Sequence, residues 1–227
     1  MKTSLVILLA SVSALIAEDL PFDPKKPELL VPGKTYSFLI TPQKDAKAVR
    51  IRLHAETSSD FRSDAGRPFA PIDKLTVEQG DKHYELAYDY TDVGVPDMDV
   101  VDFDGDGDVD FRIIMAWGTG GSWYCYYRFH DGHYERWSEP EELGLNGVPD
   151  NGFLTANGRS GPESSSASYK FKNGRFQKQR VEAILLRDSL PEFKDEKMAD
   201  FVSASVIEEW DDTRLVRRVV EPQYEQK

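Results

Sequence analysis

Residues 111–134 read FRIIMAWGTGGSWYCYYRFHDGHY, and this stretch decides the fold class. Two runs rich in aromatic and β-branched residues, 111–117 and 123–129, flank a glycine-rich segment. Runs of this composition bounded by glycine favour β-strands. The Asp131-Gly132 pair that follows is the kind of dipeptide that tight β-hairpins require. The stretch therefore predicts a strand, a turn, a second strand and a hairpin.

The hairpin pattern FHDGHY of residues 129–134 occurs twice more, as FKNGRF in residues 171–176 and as WDDTRL in residues 210–215. The copies begin 42 and 39 residues apart, which is close to the period of one propeller blade. We therefore predict an all-β, mostly antiparallel fold with propeller-like repeated hairpins and about five units. The alternative, that hairpins recur in any all-β protein, stays open on the sequence alone.

Shorter patterns fill in the rest of the chain. Residues 36–40 and 48–53 have strand composition, and residues 75–77 and 84–88 flank a turn at Gly80. Apolar residues at helical spacing predict a short C-terminal helix over residues 195–210, with a strand over residues 204–207 as the alternative. The Gly/Ser/Asn-rich residues 147–168 predict an exposed connection.

Size and charge limit the classes of function. The chain has 227 residues, 40% of them hydrophobic, which is enough for a folded core. Its 40 acidic against 28 basic residues give a net charge of −12. Nucleic acids and anionic membranes are unsuitable partners because polyanions would be repelled, whereas cations and cationic proteins would be attracted. Cys125 is the one cysteine, so a disulfide scaffold is excluded.

The N-terminal residues indicate export. Lys2 is followed by an apolar run up to Ala17, and acidic residues begin at Glu18, a pattern typical of a secretory signal peptide. We expect a signal peptide over residues 1–17, with cleavage after Ala14 as the alternative, and a single β domain over residues 18–227 in the periplasm or outside the cell. The apolar run is too short to span a membrane. Loss of Lys2 changes the net charge from −12 to −13.

Residues 97–110, DMDVVDFDGDGDVD, place seven carboxylates within 14 positions. Counted from Asp102, acidic residues fall at positions 1, 3, 5, 7 and 9 and a glycine at position 6, a spacing that wraps a loop around calcium. We predict a calcium site in which position 7 supplies its backbone carbonyl and the other acidic residues supply carboxylates. The predicted ligands are Asp102, Asp104, Asp106, Asp108 and Asp110.

This loop differs from an EF-hand, because position 12 is Ile113 where an EF-hand has a bidentate glutamate. An apolar strand follows instead of a helix, so we predict a structural calcium ion. Magnesium fits less well because it favours a rigid octahedron with several waters. A solvated acidic loop without metal is the remaining alternative.

Residues 100–111, VVDFDGDGDVDF, resemble the calcium loop of FG-GAP/VCBS repeats, which occur in integrin-like propellers. The longer stretch 75–182 is similar to a bacterial family in which such a loop leads into a strand, a Gly-rich turn, an aromatic strand and a Tyr-Lys-x-x-Asn-Gly hairpin, here residues 169–174. That family includes periplasmic calcium-binding immunity proteins that inhibit lysozyme-like toxins injected by type IV secretion systems. The resemblance implies a non-catalytic calcium-binding protein that inhibits a lysozyme-like peptidoglycan hydrolase.

Other classes of function have weaker signals. No Ser-His-Asp or Cys-His arrangement stands out, and Glu139, Glu141 and Glu142 have the pattern of solvated acids, so we expect no catalysis. A carbohydrate-binding or adhesive module of the FG-GAP type is the alternative function. It would use Tyr124 and Tyr126 as a contact surface, although packing in the core is the favoured interpretation of both tyrosines.

Overall fold

The computed structural model describes residues 19–58, 60–89, 94–118, 121–150, 152–191 and 201–224. These residues form three sheets in which neighbouring strands follow the order of the chain. The predicted all-β fold is confirmed. The predicted signal peptide, residues 1–17, lies outside the described residues.

Each sheet is built from strands that are consecutive in the chain. Sheet 1 contains β1 (Leu20–Pro21), β2 (Thr35–Ile40), β3 (Val49–Ala55), β4 (Ile72–Gln79) and β5 (Lys82–Leu86). Sheet 2 contains β6 (Met98–Val101), β7 (Asp110–Gly118), β8 (Gly121–His130) and β9 (His133–Trp137), and a one-turn helix α1 (Glu139–Glu142) follows it. Sheet 3 contains β10 (Phe153–Ser160), β11 (Glu163–Lys172), β12 (Arg175–Leu186), β13 (Phe201–Asp211) and β14 (Arg214–Tyr224). All neighbours pair antiparallel except the short β1, which runs parallel to β2.

The three predicted hairpins are present, each with a two-residue loop. The strands close at His130↔His133, Lys172↔Arg175 and Asp211↔Arg214. The first loop residues Asp131, Asn173 and Asp212 have positive φ, as tight hairpin turns demand. The second and third hairpins both belong to sheet 3, so their 39-residue interval does not measure one blade. The described strands form three sheets instead of five units, and the propeller form stays a prediction.

Sheet 2 is the central layer, because both of its faces are buried. Phe111, Ile113 and Tyr127 pack with the apolar residues of sheet 1. Ile114 and Tyr126 pack on the opposite face with residues of sheet 3. A strand buried on both faces needs a continuous apolar run instead of an alternating one, which explains the composition of residues 111–115.

Two sequence predictions are wrong. Residues 201–210, predicted to be helical, belong to strand β13, in which Ala204 and Val206 are buried at the period of two that a strand requires. Residues 195–200 of that prediction lie outside the described residues. The predicted connection over residues 147–168 contains strand β10 and the first part of β11, whose small polar residues take their places in the sheet ladder.

Candidate metal centre

The acidic loop joins two strands of the central sheet. Asp102 directly follows the last residue of β6, and Asp110 is the first residue of β7. The carboxylate of Asp102 holds the loop closed: Oδ1 accepts a hydrogen bond from the Gly105 amide (2.6 Å) and Oδ2 accepts one from the Gly107 amide (3.0 Å). Because β6 and β7 pair across the loop, the sheet fixes the position of both loop ends.

Two further carboxylates continue the same winding. Asp104 Oδ1 accepts a hydrogen bond from the Asp106 amide (3.1 Å), and Asp106 Oδ1 accepts one from the Asp108 amide (2.8 Å). Gly107, at the predicted turn position, has a φ of 97°, a conformation that residues with a Cβ rarely adopt. The alternation of aspartate and glycine therefore produces a chain of local turns.

The winding brings Asp102, Asp104 and Asp106 together. One carboxylate oxygen from each lies within 4.8 Å of the others. Within the described residues, this is the one cluster of three or more His, Cys, Asp or Glu side chains that could hold a metal ion. Burial, together with the charges of Asp106 and Asp102, raises the pKa of Asp104 to about 6. A site that disfavours its own negative charge in this way is well matched to a cation.

The donor set fits a hard divalent cation. Calcium and magnesium take oxygen ligands, and calcium tolerates the irregular geometry of a short loop. The backbone hydrogen bonds do not exhaust the carboxylates, because each carboxylate oxygen has two lone pairs and can accept a hydrogen bond and bind a metal together. Asp102, Asp104 and Asp106 could therefore hold a metal ion.

Asp108 and Asp110 have different surroundings. Asp108 Oδ2 accepts a hydrogen bond from Gln43 Nε2 (2.8 Å), which ties the loop to the segment after β2. The buried Asp110 accepts hydrogen bonds from the amides of Phe103 (3.1 Å) and Phe129 (2.9 Å), so it connects the loop to β8. Burial raises the pKa of Asp110 to about 8 in spite of these two bonds. Metal ligation by the Asp108 carbonyl and the Asp110 carboxylate stays a prediction.

Arg112 lies directly behind the loop, and sequence reasoning missed it. Its buried guanidinium pairs with Asp99 (2.7 Å), donates to the Tyr126 hydroxyl (2.9 Å) and lies 3.9 Å from the centroid of the Tyr124 ring. The loop residue Phe103 packs edge-on against Tyr126, with ring centroids 5.2 Å apart. The one sequence signal was an arginine inside the apolar run of β7.

The structure decides between the two interpretations of β8. Tyr124 and Tyr126 are buried, so the core prediction is confirmed and their use as an exposed contact surface is excluded. The exposed aromatic residues near this strand are Trp117 and Trp123, with relative exposures of 62% and 43%. The exposure of Trp123 contradicts the buried face that period-two alternation predicted for it, and the β7–β8 register is irregular beside it, between Ile114 and Ala116.

The predicted solvated state of the acidic residues near Pro140 is wrong for two of them. Glu141 accepts a hydrogen bond from the Tyr126 amide (3.1 Å) and pairs with Arg136 (2.9 Å). Glu139 accepts a hydrogen bond from the Phe176 amide (2.8 Å). These carboxylates therefore connect α1 to sheets 2 and 3.

Comparison with known proteins gives a likeness of fold. A solved structure of a Xanthomonas type IV secretion system related protein matches this chain with a TM-score of 0.57 and 16% sequence identity. The match covers 86% of this chain and 97% of that protein. No family model matches the sequence, and no curated protein matches it. In the described part of the chain, no helix has the length and apolar character needed to cross a membrane.

Proposed function

We propose that the protein is an exported, calcium-binding, non-catalytic β protein that binds and inhibits a lysozyme-like peptidoglycan hydrolase. The observation that carries the proposal is the convergence of Asp102, Asp104 and Asp106 in the loop between β6 and β7 of the central sheet. Calcium would offset two of these three negative charges and fix the loop between β6 and β7. The calcium ion has a structural function in this proposal, because metal binding to the folded state stabilises that state.

Two observations support a protein partner. The fold resembles that of a Xanthomonas type IV secretion system related protein over most of both chains, which supports a secretion-associated role. The net charge, −12 for the full chain and −13 without the predicted signal peptide, would speed association with a cationic protein and would make the association rate sensitive to salt. A lysozyme-like hydrolase with basic surface charge fits both observations.

An inhibition assay tests the proposal. The mature chain, residues 18–227, is mixed with a cationic lysozyme, and the clearing of a peptidoglycan suspension is followed in calcium and in EDTA. We expect dose-dependent inhibition in calcium that is lost in EDTA and in Asp104→Ala/Asp106→Ala. The matched control is Asp81→Ala/Glu85→Ala, which removes the same charge from the exposed β4–β5 hairpin and should inhibit normally. Inhibition that is equal in EDTA, or hydrolysis of the suspension by the protein itself, would contradict the proposal.

Glycan binding is the second candidate function, and the exposed Trp117 and Trp123 favour it. Exposed tryptophan rings near a hairpin end can stack on sugar rings. Sedimentation with insoluble peptidoglycan tests this candidate. Co-sedimentation that is lost in Trp117→Ala/Trp123→Ala, without inhibition of any hydrolase, would favour an adhesive module over an inhibitor.

A further inference from the structure

We propose that the groove along the free edge of β6 is the docking surface for an extended, cationic segment of the partner protein, which adds to sheet 2 as a new strand. This inference rests on the proposed function in one respect, because it assumes that the chain binds another protein. It goes further by assigning the surface, the conformation of the bound segment and its charge.

The groove has a volume of about 640 Å³ and runs between two sheets. Strand β6 lines it together with Phe38 and Leu39 of β2, part of the Pro-rich segment 23–27 and a short segment after α1. Three apolar side chains in this groove are exposed to solvent: Leu39 by 60%, Val100 by 36% and Val148 by 73%. Exposed apolar residues that share one groove are typical of interaction sites.

Strand β6 has a free edge. Among the described strands it is the outermost one of sheet 2 and pairs with β7 alone. The amide of Ile114 donates to the carbonyl of Asp97 (2.8 Å), so Asp99 and Val101 also direct their backbone groups towards β7. The alternation of antiparallel pairing then turns the N–H and C=O groups of Met98 and Val100 away from β7. An extended peptide could bond to these groups, which is the geometry of strand addition.

Charge selects the occupant. Seven carboxylates lie between residues 97 and 110, and Asp23 also lines the groove. Asp97 and Asp99 line the groove itself, and Arg112 pairs with Asp99. Asp102, Asp104, Asp106 and Asp108 of the adjoining loop carry four further carboxylates, so one divalent cation would leave this end of the groove negative. Among the described residues that line the groove, Lys25 is the one basic residue. A segment in which basic residues alternate with apolar ones would match both the carboxylates and the exposed apolar side chains.

The groove is physically continuous with the acidic loop. Val101, the last residue of β6, is followed at once by Asp102. Asp99 of β6 pairs with Arg112, whose guanidinium also lies 5.6 Å from the centroid of the Phe103 ring in the loop. A metal ion that orders the loop would therefore order the C-terminal end of the docking strand, and we expect peptide binding to be stronger in calcium than in EDTA.

The test uses a fluorescein-labelled heptapeptide in which lysine alternates with valine. Its binding to the mature chain is measured by fluorescence anisotropy, beside a glutamate–valine peptide and a lysine–valine peptide with N-methylated backbone. We expect saturable binding of the first peptide alone. Val100→Lys, which places a cation at the strand edge, should weaken binding by about tenfold or more. Val148→Lys, at the rim of the groove, should weaken peptide binding severalfold. This second variant tests the groove even if Val100→Lys misfolds.

The matched control is Val216→Lys, the same substitution at an exposed valine of β14, which is the edge strand of sheet 3. It should bind the peptide within about twofold of the unsubstituted chain. Equal binding by Val100→Lys and Val216→Lys, or equal binding of the N-methylated peptide, would overturn strand addition at β6. If the chain forms a dimer and Val100→Lys dissociates it, the groove binds a second copy of the chain. This result would also overturn the proposal.

Repeating the hydrolase assay with Val100→Lys separates the two proposals. Normal inhibition by this variant would refute docking of the hydrolase at the groove and would leave the proposed function standing. Specific peptide binding at β6 without inhibition of any hydrolase would refute the proposed function and leave the groove standing.

Discussion

Raising the pH in the absence of metal should destabilise the protein, because Asp110 must then ionise in a buried position. Its pKa is raised to about 8 by burial, whereas an aspartate in an unfolded chain titrates near pH ~3.9. Between these two values the folded state holds a proton that the unfolded state has released. The stability contributed by this proton is complete below the unfolded pKa and is lost as the pH rises through the folded pKa.

The magnitude follows from proton linkage. One proton held only by the folded state changes the free energy of unfolding by at most about 1.4 kcal/mol per pH unit. Between about pH 6 and pH 7, Asp110 alone should therefore lower Tm by about 3–5 °C in a chain of this size. Asp104, with a pKa of about 6, adds to the slope mainly below that range, and its partial exposure reduces the effect.

Thermal melts in EDTA across this pH range measure the slope, and parallel melts in calcium provide the contrast. Calcium should flatten the slope because the metal stabilises the ionised carboxylates. Asp110→Asn should remove most of the slope in EDTA, and Asp104→Asn should remove the part below about pH 6. A Tm in EDTA that is constant or rises with pH, with the same slope in Asp110→Asn, would refute the account of this buried carboxylate.

Three further predictions concern the fold itself. Arg112→Met should lower the free energy of unfolding by about 2–3 kcal/mol in urea titrations, because it removes the donor that the buried Tyr126 hydroxyl and the partly exposed Asp99 carboxylate share. The exposed Arg217→Met should cost less than about 1 kcal/mol, and equal losses would contradict the assigned network. Phe111→Ala should cost about 3–5 kcal/mol by the same measurement, because Phe111 is fully buried between two sheets, and Leu215→Ala, on the exposed β14, should cost much less. Gly174→Ala should cost about 1 kcal/mol in thermal melts, since the φ of Gly174 is 79°, and an unchanged Tm would refute the tight turn.

Local patterns predicted the elements whose structure depends on neighbouring residues. The Asp131-Gly132 and Asn173-Gly174 pairs predicted their hairpins, because positive φ at these positions is a local requirement. The helix prediction over residues 195–210 failed where the structure describes it, since Ala204 and Val206 fit a period of two and tertiary packing decided between the two periods. The repeat interval failed as a blade period because two of the hairpins share sheet 3.

The candidate site likewise contains some residues that the sequence could predict and others that it could not. Asp102, Asp104 and Asp106 could be predicted because the spacing within one loop brings them together. The Arg112 network could not be predicted, since it depends on which strands pair and on which face each residue lies. The groove beside β6 was also beyond the sequence, because its walls come from segments far apart in the chain.

Calorimetric titration of calcium into the EDTA-stripped mature chain, beside Asp104→Ala/Asp106→Ala, tests the central claim most directly. We predict one saturable site in the unsubstituted chain, no comparable heat in the double variant, and a rise in Tm that only the unsubstituted chain shows. The absence of both heat and stabilisation would contradict the claim, and the three converging carboxylates would then be a solvated loop.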